Sequence, residues 1–308
     1  MTHHWGYVGA VTSALLFGMA ATLNKIVLAE THPTVTAGLV YFFAGITLTL
    51  VRVSPLRSRI IRLLETPAKT EPKITRRDVA ILACVVLSGS TIAPYLFLNG
   101  LAQTTAINAS LLQNAESLFT VLLAVVFLKE EGSKKEWLGV LLLLVGAAFL
   151  TTNGEFLKLT FTQSLAGNLL IIGACFSWGI DNNLSKFLSA KEDIILITAL
   201  KCLAGGAILL LLSWAIGLEF QVMLSALPYL VTAGAFSIGF SIVFFLLGLR
   251  TIGAMRTGMI FSTSSLFGAT FAFLMLREPF SPIQLTAGAI MLLGVYTIYR
   301  KQSITQED

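Results

Sequence analysis

Charged residues, histidine and cysteine are all scarce in this sequence of 308 residues. Asp, Glu, Lys and Arg together make up 12% of it, and its three histidines, His3, His4 and His32, lie outside the apolar segments. A histidine-based metal site within those segments is therefore excluded. The three cysteines are an odd number without CxxC spacing, so neither a disulfide framework nor a cysteine metal site is expected.

Catalytic and nucleotide-binding motifs are missing as well. The sequence contains no GxSxG and no Walker motif, and Asp181 is the only aspartate well inside an apolar segment. An enzyme working within a bilayer would lack its usual catalytic pairs, so the protein is predicted not to be an enzyme and to need no cofactor. Most loops are short and none resembles a selectivity filter, which argues against a channel.

Long apolar runs dominate the chain instead. It is 56% hydrophobic with a mean hydropathy of +0.83, beyond the range of soluble domains. About 20 apolar residues are enough to cross the hydrocarbon core of a bilayer. We therefore predict an all-α membrane protein with ten transmembrane helices around a central cavity. The predicted spans are 6–28, 34–53, 78–100, 105–128, 135–152, 166–189, 193–216, 225–249, 254–276 and 281–299.

Basic residues are distributed unevenly between the two sides of these spans. With the N-terminus inside, the cytoplasmic loops hold 16 Lys and Arg residues and the outer loops hold two, Lys158 and Arg277. Because such residues stay on the cytoplasmic side, we predict a multi-pass protein of the plasma (inner) membrane with both termini in the cytoplasm. The basic loop 54–77 is interpreted as topogenic, so the net charge of +5 does not indicate a nucleic-acid partner.

The two halves of the chain resemble each other. The segment 99–130 aligns with 247–278 at a shift of 148 positions, and 6–25 aligns with 167–186 at a shift of 161. Two registered matches indicate an internal repeat.

We accordingly predict two five-helix units, residues 1–153 and 154–308. Because each unit has an odd number of spans, the second must enter the membrane upside down. Inverted repeats of this kind are typical of secondary transporters, which bind their substrate near the midplane between the halves.

Each half carries the same short motifs in the same order. Phe17-Gly18 and Trp178-Gly179 each precede a lysine by seven positions, "SLF…FL[KR]E" ends the fourth helix, and the fifth helix is rich in glycine. This arrangement resembles the EamA-type branch of the drug/metabolite transporter superfamily. The resemblance implies ten helices around a cavity and alternating access to amino acids or other small metabolites, often for export. The family's fourth helix often reads Glu-Pro where this chain has Glu116-Ser117.

Glu116 lies near the centre of the fourth predicted span, close to Gln113 and Asn114. A carboxylate at that depth is costly unless it finds a partner, a proton or water. Glu116 shares a helix stripe with Gln113, and Ser264 belongs to the small, hydroxyl-bearing image of that stripe in the second half. Because burial disfavours a charged carboxyl, Glu116 is a candidate to bind a cationic substrate group or to carry a proton. A structural hydrogen bond between helices is the alternative.

Asp181 and Lys201 lie at similar depths in neighbouring spans, both roughly 12 Å from one short inner loop at 1.5 Å per residue. Equal depth predicts an ion pair, which is either a static structural pair or a gate that breaks during transport. Asn182 extends this polar patch and is a further candidate for substrate contact.

The remaining candidates are less specific. Lys25 and Lys186 end equivalent helices at opposite membrane faces, where each could snorkel to the headgroups or line an entrance. Tyr95, Asn99 and Trp178 could line the cavity, although packing or interfacial anchoring accounts for such residues equally well.

Together these features predict a secondary active transporter that moves a small polar metabolite, an amino acid or related compound, by alternating access. Export is the expected direction, and protons are the candidate coupling ion. A facilitative uniporter or exchanger and a transport-inactive membrane receptor or scaffold are the alternatives. The expected partners are the substrate, protons and the lipid bilayer.

Overall fold

The computed structural model describes residues 3–54, 75–128, 134–154, 163–189 and 194–299, and within these ranges every regular element is helical. Most of the basic loop 54–77 lies outside the described residues. The first half contains α1 (His3–Val27), α2 (Pro33–Val53), α3 (Arg76–Gln103), α4a (Ala106–Leu112), α4b (Ala115–Leu128) and α5 (Lys134–Thr152).

The second half begins with α6 and α7. Its elements are α6 (Gln163–Ser189), α7 (Ile194–Ala215), α8 (Leu227–Thr232, Ala233–Phe240 and Ser241–Phe261 in succession), α9 (Ser264–Leu276) and α10 (Pro282–Tyr299). By length and composition, seven helical stretches in the described residues can cross a membrane, and three shorter apolar helices accompany them. The chain is therefore an all-helical membrane protein.

The last section of α8 turns back on itself. The rings of Phe245 and Phe261 are 4.8 Å apart, whereas 16 residues of straight helix would separate them by about 24 Å. A Cβ atom on Gly248 would lie 2.9 Å from the side chain of Thr257. The reversal falls between these two residues, where the sequence predicts the end of one span and the start of the next.

The fourth predicted span is not one continuous helix. The chain leaves the helix at Gln113 and Asn114, and the Glu116 N–H bonds to the Gln113 carbonyl at 3.0 Å, three residues back, instead of four. The span predicted over 105–128 corresponds to Ala106–Phe127, with a turn at Gln113 and Asn114 that the sequence did not predict. The break forms although residue 117 is serine, at the position where the family often has proline. The end of α8 and α9 together correspond to the span predicted over 254–276. A similar break interrupts that span at 262–263.

Wide helical turns also recur at equivalent positions. Residues Ser88–Ile92 in α3 and Ala233–Phe240 in α8 form π-helical segments, and a shift of 148 positions places the first within the second. Such segments are rare in helices and are frequent at functional sites.

Glycines allow close contact at the helix crossings. Gly38 packs on Leu210 and Gly45 on Leu203, so α2 and α7 run antiparallel. The same holds for α5 and α10, where Gly294 packs on Gly139 and Leu143 while Gly146 packs on Ala287 and Met291. Small residues at such crossings let helices approach each other in a membrane.

The remaining helices form two groups. In the α1 group, α1 packs against α8 and α9, and in the α6 group, α6 packs against α3 and α4. Gly18 of α1 contacts Phe267 of α9, and Gly179 of α6 contacts Phe119 of α4b. The candidate site lies where the two groups meet α2 and α7.

Candidate functional site

Glu116 is held by the α6 helix. It stands in the first turn of α4b, directly after the break, and its Oε1 accepts a hydrogen bond of 2.7 Å from Asn182 Nδ2. The same amide nitrogen lies 3.2 Å from Thr120 Oγ1, one turn further along α4b. Glu116 therefore points at the neighbouring helix α6. The contact is favourable because a carboxylate in a bilayer is costly without a donor.

Asp181 and Lys201 form the predicted ion pair. Lys201 Nζ lies 2.5 Å from Asp181 Oδ2, and the side chains are 17% and 7% exposed for Lys201 and Asp181 respectively. Asp181 Oδ1 accepts a second hydrogen bond of 2.9 Å from Ser185 Oγ. These contacts give both ions the partners that offset much of their burial cost.

The π-helical segment of α3 makes room for this pair. A Cβ atom on Gly89 would collide with the Asp181 carboxylate, so only glycine leaves space for it there. The Gly89 carbonyl accepts a hydrogen bond of 3.1 Å from Trp178 Nε1. At this wide turn, Gly89 thus leaves space for the Asp181 carboxylate and offers its carbonyl to Trp178 of α6. The sequence did not predict either role for Gly89.

The charged groups do not balance. Of the charged side chains that the structure describes, Glu116, Asp181 and Lys201 are close enough to interact electrostatically, and with all three ionised they carry a net charge of −1. Since an uncompensated charge is costly within a bilayer, the site has capacity for one additional positive charge. A proton on Glu116 or a cationic group of a substrate would supply it.

A cavity adjoins the charged groups. Aromatic rings and two amide side chains dominate its wall, which is formed by Phe17, Ala20, Asn24, Val40, Tyr41, Pro94, Phe97, Leu98, Gln113, Trp178 and Ile238. Gln113 and Trp178 each lie three residues before a member of the charged cluster, Glu116 and Asp181. The Oδ1 atom of Asn24 is buried and has no hydrogen-bond partner among the described residues. The cavity therefore offers an apolar wall and a free acceptor.

Two of the predicted residues take part in packing between the helix breaks. Asn114 is 5% exposed and donates from Nδ2 to Ser265 Oγ at 3.0 Å, while Ser265 donates to the Ser262 carbonyl. Ser264 is buried, and its carbonyl lies against Gly18. The two breaks thus meet through a hydrogen bond, and the structure uses Asn114 to join α4 to α9.

The structure does not place Tyr95 and Asn99 in the cavity. Tyr95 is 40% exposed, and Asn99 donates to the Tyr95 carbonyl at 2.7 Å. Pro94, Phe97 and Leu98 face inward instead. Because successive residues of a helix are rotated by about 100°, Tyr95 and Asn99 fall on the other side of α3.

Lys25 does not snorkel towards the headgroups. Its Nζ donates to the carbonyl oxygens of Leu101 and Thr104, each at 2.6 Å, and so caps the end of α3. The side chain of Lys186 lies outside the described residues. Asn183 donates to the carbonyls of Thr120 and Gly179, which fixes α6 against α4b.

Sequence reasoning missed several residues of the site. Phe17, Asn24 and Phe97 line the cavity, Thr120 accepts a hydrogen bond from Asn182, and Ser185 donates one to Asp181. Thr120 lies on the predicted stripe of Glu116 and could have been found from it. The rest gave no signal, because apolar and small polar residues are common in every span.

Comparison with known proteins shows which family these features belong to. The sequence profile described as "EamA-like transporter family" matches residues 4–152 and again 165–300. The chain belongs to the EamA-like transporter family.

Individual relatives agree with this assignment. An uncharacterized transporter of Methanothermobacter thermautotrophicus is 41% identical over 299 residues, which cover 97% of this chain and 87% of that protein. The uncharacterized transporter YetK of Bacillus subtilis is 21% identical, with coverage of 96% and 87%. A solved crystal structure superimposes with a TM-score of 0.66 over 98% of both chains at 15% identity, which shows a shared fold. This EamA-like chain is thus a membrane transporter by family.

Proposed function

We propose that this EamA-like protein is a secondary transporter that moves a small polar metabolite, such as an amino acid or a related compound, out of the cell by alternating access. Two inverted five-helix units, residues 1–153 and 154–308, alternate in exposing a shared site between them. The N- and C-termini are cytoplasmic, so the end of the bundle that carries Lys25 faces outward.

The contacts between helices support the inverted repeat. The equivalent helices α2 and α7 cross antiparallel, as do α5 and α10. The contact of Gly18 with Phe267 has its counterpart in that of Gly179 with Phe119, at shifts of 161 and 148 positions. Each half also breaks its fourth helix at the same place. Broken helices near the midplane are the usual substrate and ion sites of such transporters.

The unbalanced charge beside the cavity is the observation that carries the proposal. Among the described side chains, Asn182 is the amide donor to Glu116, and Lys201, whose charge also acts on Glu116, is hydrogen-bonded to Asp181. We assign Glu116 to the coupling proton or to a cationic group of the substrate. Asn24 and Gln113 supply further polar contacts, and the rings of Tyr41 and Trp178 cover the apolar part.

A binding screen followed by a flux assay tests this function. The purified protein is screened by thermal shift against amino acids, amines and nucleobases, because a ligand that binds the folded state raises its melting temperature. Any hit is then loaded into proteoliposomes and its flux is measured with and without a pH gradient. Flux without pH dependence would identify a facilitative uniporter or exchanger. Binding without flux would identify a receptor.

A further inference from the structure

Lys25 and Glu278 bind opposite sides of a single turn, the one that joins α3 to α4a. Lys25 Nζ donates to the last carbonyls of α3, those of Leu101 and Thr104, at 2.6 Å each. Glu278 accepts from the first N–H groups of α4a, with Oε1 2.9 Å from Ala106 N and Oε2 2.9 Å from Ile107 N. These backbone groups lack partners within their own helices, so the two side chains satisfy what the turn leaves open.

Both side chains reach the turn from the other helix group. Lys25 lies near the end of α1, and Glu278 follows the end of α9, so both belong to the α1 group. The α3 side of the turn belongs to the α6 group, whereas α4a also packs against α9. Four charge-assisted hydrogen bonds therefore hold the α3–α4a turn to the ends of α1 and α9, and such bonds are stronger than those between neutral groups.

The chain directs Glu278 towards the turn. The α9 helix ends at Arg277, which adopts the left-handed conformation with φ 56°, and the Glu278 N–H reaches back to the Ala272 carbonyl at 3.4 Å. This ending bends the chain away from the helix axis. Lys25 interacts electrostatically with Glu278 across the turn, so the two charges also offset each other.

Asn182, at the edge of the charged cluster, is exposed, whereas Thr104 at the Lys25 end is buried. Asn182 bonds to Glu116 and is exposed. It lies about 120° around α6 from Phe176, so the two exposed residues are on different sides of that helix. At the Lys25 end, by contrast, Thr104 is 6% exposed and donates to Asn168 at 2.7 Å. The structure is thus closed where Lys25 and Glu278 act.

We propose that Lys25 and Glu278 are gate residues that hold the outer end of the transport pathway closed in this conformation. Opening that end separates the α1 group from the α3–α4a turn, which breaks all four hydrogen bonds. This inference rests on the proposed alternating-access function. It assigns Lys25 a role in one conformation of the cycle and adds Glu278 as a second gate residue.

Accessibility of a cavity cysteine tests the gate. Ala20 lines the cavity and is 3% exposed, so Ala20→Cys in a background with Cys84, Cys175 and Cys202 replaced by alanine reports on entry. The protein is labelled in sealed vesicles of known orientation by a membrane-impermeant maleimide added to one face at a time. Lys25→Met and Glu278→Gln are each expected to raise the outside labelling rate at least about tenfold, because each removes charge-assisted bonds from the closed state.

Matched controls separate the gate from general loosening. Lys134→Met and Glu219→Gln change exposed residues of the same types and should leave the labelling rate unchanged. Lys25→Arg keeps a cation and should keep outside labelling low. An unchanged outside rate in both Lys25→Met and Glu278→Gln, or an equal rise from both faces, would overturn the proposal. Labelling needs no substrate, so a failure to find flux leaves this result independent.

Discussion

The Glu116 carboxyl is the group on which the proposed coupling depends. It faces Asn182 on α6 and stands beside an ion pair that is already complete. A carboxyl in that position can exchange a proton or bind a cation without separating Asp181 from Lys201. Its replacement therefore tests coupling without removing another structural contact of the cluster.

Glu116→Gln should abolish flux driven by a pH gradient. Glutamine keeps the oxygen that accepts from Asn182, so the fold should be retained, but it can neither bind nor release a proton. The measurement is substrate flux in proteoliposomes with and without a pH gradient. As a control, Gln113→Glu is added to the Glu116→Gln variant. If coupling requires a carboxyl at position 116, this second substitution should not restore it. If flux driven by a pH gradient persists in Glu116→Gln, this carboxyl is excluded as the proton carrier.

Asp181→Asn should destabilise the protein by about 3–5 kcal/mol, because it leaves the buried Lys201 ammonium without its counter-ion. The double substitution Asp181→Asn with Lys201→Met should recover most of that loss, since it also removes the ammonium that Asp181→Asn leaves without its partner. The free energy of unfolding in mixed detergent micelles measures both effects. If Asp181→Asn alone costs no more than the double variant, the pair contributes little to stability and its role lies elsewhere.

At the scale of the helix, the π-helical segment of α3 fits the charged cluster to its neighbour. The wide turn brings Gly89 against the Asp181 carboxylate and frees the Gly89 carbonyl for Trp178. The equivalent segment in α8 shows that both halves use a wide turn at this level of the bundle. Glycine is required at position 89 because any Cβ atom would displace the carboxylate.

Gly89→Ala should therefore cost about 1–3 kcal/mol of unfolding free energy, as expected for overpacking. The control is Gly173→Ala in α6, where the added Cβ meets Leu96 Cδ1 at 3.4 Å, an ordinary contact. That substitution should be neutral or stabilise the helix by up to about 1 kcal/mol. Equal stability of the two variants would contradict the steric account of Gly89.

On the scale of the whole molecule, the two halves meet through antiparallel pairs of equivalent helices. The C-terminal ends of α2 and α7, near Ser54 and Ala215, are related by the shift of 161 positions. In the proposed topology they lie on opposite faces of the membrane, Ser54 inside and Ala215 outside. This relation follows from an odd number of spans in each half.

An impermeant thiol reagent applied to intact cells should label Ala215→Cys and spare Ser54→Cys. After permeabilisation, both should react, because both positions are at least partly exposed. The cysteine-free background serves as the control. Labelling of both positions from the same face would rule out the inverted repeat.

Much of the fold and part of the site could be predicted from the sequence. Apolar runs locate the spans because water and lipid impose a strong local rule on each segment. Glu116, Asp181 and Lys201 are identifiable because charge is costly in a bilayer wherever it occurs, and the equal depths of Asp181 and Lys201 predicted their contact. The fourth span was located, but the turn at Gln113 and Asn114 within it was not predicted, because it depends on local backbone bonds and on Ser265 from the other half.

The sequence by itself determined the membrane class, the repeat and the residues whose charge requires an explanation. Only the tertiary structure decided that Asn182 binds Glu116, that Tyr95 and Asn99 face away from the cavity, and that Lys25 joins Glu278 at one turn. The physical reason is that hydropathy acts on each residue separately, whereas these contacts depend on how far each helix is rotated and shifted against its neighbours.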